Sequence, residues 1–140
     1  MAIHLFEEDI TLKIKNKLAL KKWLKSTIET EKQKLGVLNY VFCSDAYLLE
    51  MNLSYLNHDT FTDIITFDNA EVEGLIEGDI FISIDRVKEN SIKFEVPFED
   101  ELHRVMVHGA LHLLGYKDKK KEEKEKMREK ENYYLKKRKF

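Results

Sequence analysis

Two rhythms of apolar and polar residues run along this chain, and the switches between them mark its elements. Ile3–Phe6 is a short apolar run of the kind that forms an edge strand. From Thr11, a residue able to cap a helix, Leu20, Trp23, Leu24 and Ile28 recur at helical spacing. They predict one long helix to about Lys34, ended by Gly36. The segment VLNYVFC (37–43) is rich in β-branched and aromatic residues and predicts a strand. Ser44 is a good N-cap for a second helix through about Tyr55. A polar loop, Leu56–Thr60, leads to a strand at DIITF (63–67). Residues 68–77 then read as a turn or hairpin connection, with Gly74 and Gly78 as punctuation. DIFISI (79–84) is apolar on both parities, the pattern of a strand covered on both faces.

Asp85 can cap a short helix to about Ile92. Pro97 stands where a helix can begin, with Glu99, Asp100 and Glu101 suited to its positive end. That helix continues to Leu114 and stops at Gly115. Leu102, Val105, Met106, Gly109 and Leu113 form its apolar stripe, which leaves residues 104, 108 and 112 on another face. A last charged helix spans about Lys119 to Leu135, with Met127, Tyr133 and Tyr134 as its few apolar anchors. No internal repeat is visible. The expected fold is a single α+β domain over residues 1–140, a small mixed sheet of three to four strands packed with about five helices.

Length and charge narrow the picture. At 140 residues the chain suits one domain. It can bury roughly two-thirds of its unfolded surface, so a metal is not needed to make it fold. Its one cysteine, Cys43, excludes an internal disulfide and fits a reducing compartment, and its apolar neighbours make it a core residue. No secretory signal and no run of about 20 apolar residues is present. The expectation is a soluble cytoplasmic protein without a membrane partner. The net charge of -2 conceals a division: residues 117–140 hold twelve Lys or Arg against six acids, whereas 1–116 hold twelve against twenty. Such a basic tail is a solubilising helix or an arm for a polyanion.

Chemistry concentrates in HGALHLLGYKD (108–118). Side chains four apart on a helix are neighbours, so His108 and His112 can hold one ion. Gly115 supplies the left-handed turn that returns Asp118 toward them. Two imidazoles and a carboxylate with an open fourth position describe a catalytic rather than a closed metal site. The alternative is a pair of ordinary helix histidines; the helix stop and the acid three residues later weigh against it. The spacing also resembles the zinc cage of metzincin proteases. Those enzymes need a Glu after the first His as general base, and Gly109 stands there instead.

A second resemblance covers more of the chain. HGALHLLGYKD is similar to the HGxLHLxGYDH signature of the YbeY family of bacterial endoribonucleases. MNLSYLNHDTFTDIITFD (51–68) is similar to that family's LNxxYRxxDxPTDVLSF, and GDIFIS (78–83) to its GDIxIS. The blocks occur in the family's order. The resemblance implies a Zn2+-dependent, single-strand-specific endoribonuclease of rRNA maturation, acting at the 3' end of 16S rRNA and in ribosome quality control. It implies RNA, as rRNA or the small ribosomal subunit, for a partner. Asp118 stands where the family usually has a His ligand, Leu56 where it usually has Arg, and Phe61 where it usually has Pro.

With Leu56 unable to clamp a phosphate, Arg104, Lys117 and Lys119 become the candidate substrate contacts. For Arg104 a salt bridge to Asp100 or Glu101 is the competing reading. His58 and His103 lie off the ligand row, and Asp59 and Asp63 match family positions but read as structural acids. Two other functions stay open: a non-catalytic ribosome-associated protein with a structural metal, and a metallohydrolase of another substrate.

Overall fold

The computed structural model describes residues 2–56 and 62–140. Among them, strands β1 (Ala2–Glu7), β2 (Lys34–Cys43), β3 (Ile64–Asp68) and β4 (Leu75–Ser83) alternate with helices α1 (Lys17–Thr30) and α2 (Asp45–Leu56). Helices α3 (Ile84–Lys93), α4 (Phe98–Leu113) and α5 (Lys121–Leu135) follow. The single sheet has the order β1-β2-β4-β3. β1, β2 and β4 run parallel, and β3 closes one edge antiparallel to β4 with Ile65 opposite Phe81. This is the small mixed α+β domain that the hydrophobic pattern predicts.

Strand periodicity divides the apolar residues between two cores. Leu38, Tyr40 and Phe42 of β2 and Ile80 and Ile82 of β4 point to one side. There they pack with Leu20, Leu24 and Ile28 of α1, Val105, Met106 and Leu111 of α4, and Met127 and Tyr134 of α5. The opposite face carries a much smaller cluster of Cys43, Leu48 and Ile65, flanked by Tyr47, Met51, Phe67 and Phe81 of α2, β3 and β4. The expectation that β4 is covered on both faces holds only in part. Its burial alternates strictly along most of the strand, and Phe81 on the α2 side is half-buried. Cys43 is fully buried, and burial together with nearby acids pushes its thiol up to about 12.

Several boundaries differ from the sequence reading. α1 begins at Lys17, after Asn16 in the left-handed region (φ 55), not at Thr11. Residues 10, 12 and 14 pack on the core with the period of extended chain, and the Leu12 amide donates to Glu7 at 3.0 Å. The chain turns after α1 through Lys32 (φ 62), so Gly36 lies inside β2, where the pairing with β4 shifts register. Likewise Gly78 is a strand residue, and β4 starts at Leu75. Ser83 rather than Asp85 caps α3, its hydroxyl accepting from the Arg86 amide at 3.2 Å. Asp85 instead accepts from the Asp45 amide at 2.8 Å. Ser44 caps α2 as expected, accepting from the Tyr47 amide at 3.1 Å. On α5 the buried stripe is Met127, Glu131 and Tyr134, while Tyr133, expected as an anchor, is exposed.

Candidate metal centre

α4 runs across the sheet so closely that residue 109 has no room for a side chain. A Cβ on Gly109 would lie 2.9 Å from both Ile64 Cδ1 and Ile80 Cγ2. A protease-type Glu at that position would therefore drive into the sheet and away from the histidines. Packing accounts for the missing general base.

The histidines stand on the adjoining face. Past Leu113 the helix closes through a Schellman turn: the Tyr116 amide donates to Leu111 O at 3.0 Å and the Gly115 amide to His112 O at 3.0 Å. Gly115 takes φ 109, which a side chain would resist. The Tyr116 hydroxyl then donates to Glu31 at 2.6 Å, and the Tyr134 hydroxyl and Lys130 bind the same carboxylate. The turn and this anchor together carry Asp118 back over α4. Its Oδ2 lies 3.3 Å from His108 Nε2 and its Oδ1 3.3 Å from His112 Nε2.

That spacing answers the question of fit. Tetrahedral bonds of about 2.0–2.1 Å put neighbouring donor atoms about 3.3 Å apart. All three donors lie within 4.8 Å of one another, and the imidazole centroids are 5.0 Å apart. The set is compatible with one ion.

Glu131, which the sequence reading missed, completes the surroundings. It is buried, and its Oε2 lies 2.7 Å from His108 Nδ1 while its Oε1 accepts from Arg104 at 2.9 Å. Holding the proton on Nδ1 leaves Nε2 free to face Asp118. Burial alone would push the His108 imidazole down, but the carboxylates of Glu131, Asp118 and Asp63 outweigh it and the net direction is up. Burial opposes ionisation of Glu131 too, and bonds from His108 and Arg104 hold it below the usual carboxylate range. A detectable signal was present: Glu131 is a lone acid between Met127 and Tyr134 on the only apolar stripe of α5.

Two cavities open beside the donors. One, of about 370 Å³, is lined by His108, Asp118, Asp63, Arg104 and Glu131 among others. The second, of about 630 Å³, is lined by His108, His112, Asp118, Asp63, Leu56 and Lys119. Arg104 lines the first cavity, and its partners are Glu131 and Asn132 (2.8 Å) instead of Asp100 or Glu101. Lys119 stands on the rim of the second cavity, whereas Lys117 is exposed and lines neither. Asp63 faces both cavities, and burial pushes its carboxyl up against the pull of His108. His58 and Asp59 lie outside the described residues. His103 is no ligand: it is buried between Trp23 and Phe140.

A small mixed sheet thus presents two imidazoles and one carboxylate at the end of a helix, a group that could hold one metal ion. The model of the Endoribonuclease YbeY family matches residues 3–139, and the chain belongs to that family. Endoribonuclease YbeY of Cytophaga hutchinsonii is 54% identical over 138 residues, covering 99% of this chain and 96% of that protein. Its counterpart from Flavobacterium psychrophilum is 50% identical over 131 residues, covering 94% and 93%. Among solved structures, TM1509 from Thermotoga maritima superposes with a TM-score of 0.65 at 28% identity, covering 96% of this chain and 87% of that one.

Proposed function

We propose that this protein is a Zn2+-dependent endoribonuclease that cuts single-stranded RNA by phosphodiester hydrolysis. Its family membership points to rRNA maturation at the 3' end of 16S rRNA, ribosome quality control and a cytoplasmic setting. No helix among the described residues is long and apolar enough to cross a membrane. The observation that carries the reading is the pair of 3.3 Å approaches of Asp118 to His108 and His112 beside two open cavities.

His108 and His112 offer Nε2, and Asp118 offers its carboxylate, as ligands. A bound ion supplies acidified water and polarisation of a phosphoryl oxygen. Glu131 fixes the His108 tautomer, and Arg104 holds Glu131 in place while facing the cleft. Lys119 adds positive potential at the rim and Lys117 beside it, favouring a polyanion. Leu56 forms an apolar part of the second cavity wall, so phosphate contacts there fall to the lysines.

The test is cleavage of a single-stranded RNA by purified protein of measured metal content. His108→Ala should abolish metal-dependent cleavage in a chain that still folds, with a melting temperature lowered by the loss of the buried contact to Glu131. Full activity in that variant, or in thoroughly metal-stripped protein, would overturn the proposal. A large fall in melting temperature on chelation, with no cleavage in either state, would instead favour a structural ion.

A further inference from the structure

The 370 Å³ cavity continues past the candidate metal centre. A neighbouring cavity of about 520 Å³ shares Phe94, Glu101, Arg104 and Arg128 with it. Together they form one groove, bounded by the α3–α4 connection on one side and α5 on the other. It starts at His108 and Asp118 and leads away from the wall formed by Leu56.

Three features of this groove are unused by the chemistry above. Glu101 is 6% exposed and lines both cavities, yet its side chain makes no hydrogen bond or ion pair with any described residue. No buried side-chain oxygen of the described residues is both sealed from solvent and unpartnered, so this carboxyl opens onto the groove. Phe94, the residue that ends α3, is 51% exposed and stands at the junction of the two cavities. Along α5 and just past its end, Lys124 and Lys136 have no ion-pair partner among the described residues, and Arg128 has only a loose one, Glu131 at 3.9 Å.

An exposed ring, a buried acceptor and a row of cations match the three parts of a nucleotide. Aromatic rings stack bases without regard to sequence. A carboxyl deep in a site accepts N–H donors from a base edge and rejects edges that present carbonyls. Guanine offers two adjacent donors, N1–H and the 2-amino group, to the two oxygens of one carboxylate. Uracil offers one donor flanked by two carbonyls. The lysines and Arg128 lie where the sugar-phosphate chain would pass.

Resting on the endoribonuclease reading, we propose that this groove seats a nucleotide flanking the scissile bond. Phe94 stacks its base, Glu101 selects guanine, and Lys124, Arg128 and Lys136 follow the phosphates.

The test is binding of fluorescein-labelled oligouridylate carrying one central guanosine, inosine or uridine. Fluorescence anisotropy is read on ice with the full chain, strand integrity being checked on denaturing gels. The wild type should bind the guanosine strand about tenfold tighter than the inosine strand, which lacks the 2-amino group, and than the uridine strand. Glu101→Gln should bring all three within about twofold. Phe94→Ala should weaken all three by about tenfold. Lys124→Ala and Arg128→Ala should each lower the slope of log affinity against log salt by about 0.7. Retained guanine preference in Glu101→Gln, or unchanged affinity in Phe94→Ala, would overturn the groove. Strands that bind with these preferences but are never cut would sink the endoribonuclease reading and leave the groove standing. Cleavage with KM and base preference unchanged in both variants would sink the groove alone.

Discussion

Two of the three histidines of helix α4, His103 and His108, stand five residues apart, and their surroundings drive them to opposite ends of imidazole chemistry. His103 packs edge-on against Phe140 at 5.3 Å and tilted against Trp23 at 5.9 Å, and its Nδ1 takes a 2.8 Å contact from Arg138. Burial first, and the Arg138 cation second, push it down to about 4. His108 meets a carboxylate instead of a cation, and the direction reverses. Residue type and helix are the same. Five residues turn a side chain by more than a third of a circle, enough to exchange Trp23 and Arg138 for Glu131 and Asp118. His103 is a neutral piece of core, and His108 presents Nε2 beside a second imidazole and a carboxylate.

Removing the carboxylate tests this contrast most severely. Glu131→Ala leaves Arg104 and His108 without their buried partner, and unfolding free energy should fall by about 3–5 kcal/mol in denaturant titration. Metal affinity, read by competition with a chromophoric chelator, should drop about 10- to 100-fold. Unchanged affinity would deny Glu131 its orienting role.

Acid tests the other histidine. Unfolded His103 takes a proton near its ordinary value of about 6.5, whereas the folded side chain resists down to about 4. Between those values the unfolded chain binds more protons, so stability falls as pH falls through that window. The loss should reach about 3 kcal/mol at its lower end. His103→Gln should flatten this part of the stability–pH curve relative to the wild type. Parallel curves would show that His103 is not held neutral.

The smallest effect concerns the anchor of the Asp118 loop. Tyr116→Phe removes the hydroxyl that donates to Glu31 and should cost about 1 kcal/mol. A measurable fall in metal affinity should accompany it. Affinity identical to the wild type would mean that the Schellman turn alone places Asp118.

How much of this was legible beforehand depends on the range of the interaction. The α4 stripe, the 108/112 spacing and the stop at Gly115 are helix geometry and turn chemistry, contained within a dozen residues. The strands at 37–43 and 63–67 followed from local composition in the same way. The extent of α1 did not, because residues 10, 12 and 14 are held extended by the core they pack on. Gly36 and Gly78 read as punctuation, yet both sit within paired strands, and only the sheet partner distinguishes the two roles. Tyr133 and Glu131 exchanged their expected environments because hydrophobicity ranks them one way and the needs of Arg104 and His108 rank them the other.

Sequence alone determined the donor set: two imidazoles at one-turn spacing, a glycine to reverse the chain and a carboxylate to return. All of that is written in eleven consecutive residues governed by backbone geometry. Tertiary structure alone decided what surrounds the set. Gly109 is glycine because β3 and β4 lie against α4, and His108 differs from His103 because α5 brings Glu131 to one and the segment after α5 brings Arg138 to the other. The groove past Glu101 exists only because α5 lies across from the α3–α4 connection. Such pairings join residues more than twenty positions apart, and no local pattern encodes a distance that only packing creates.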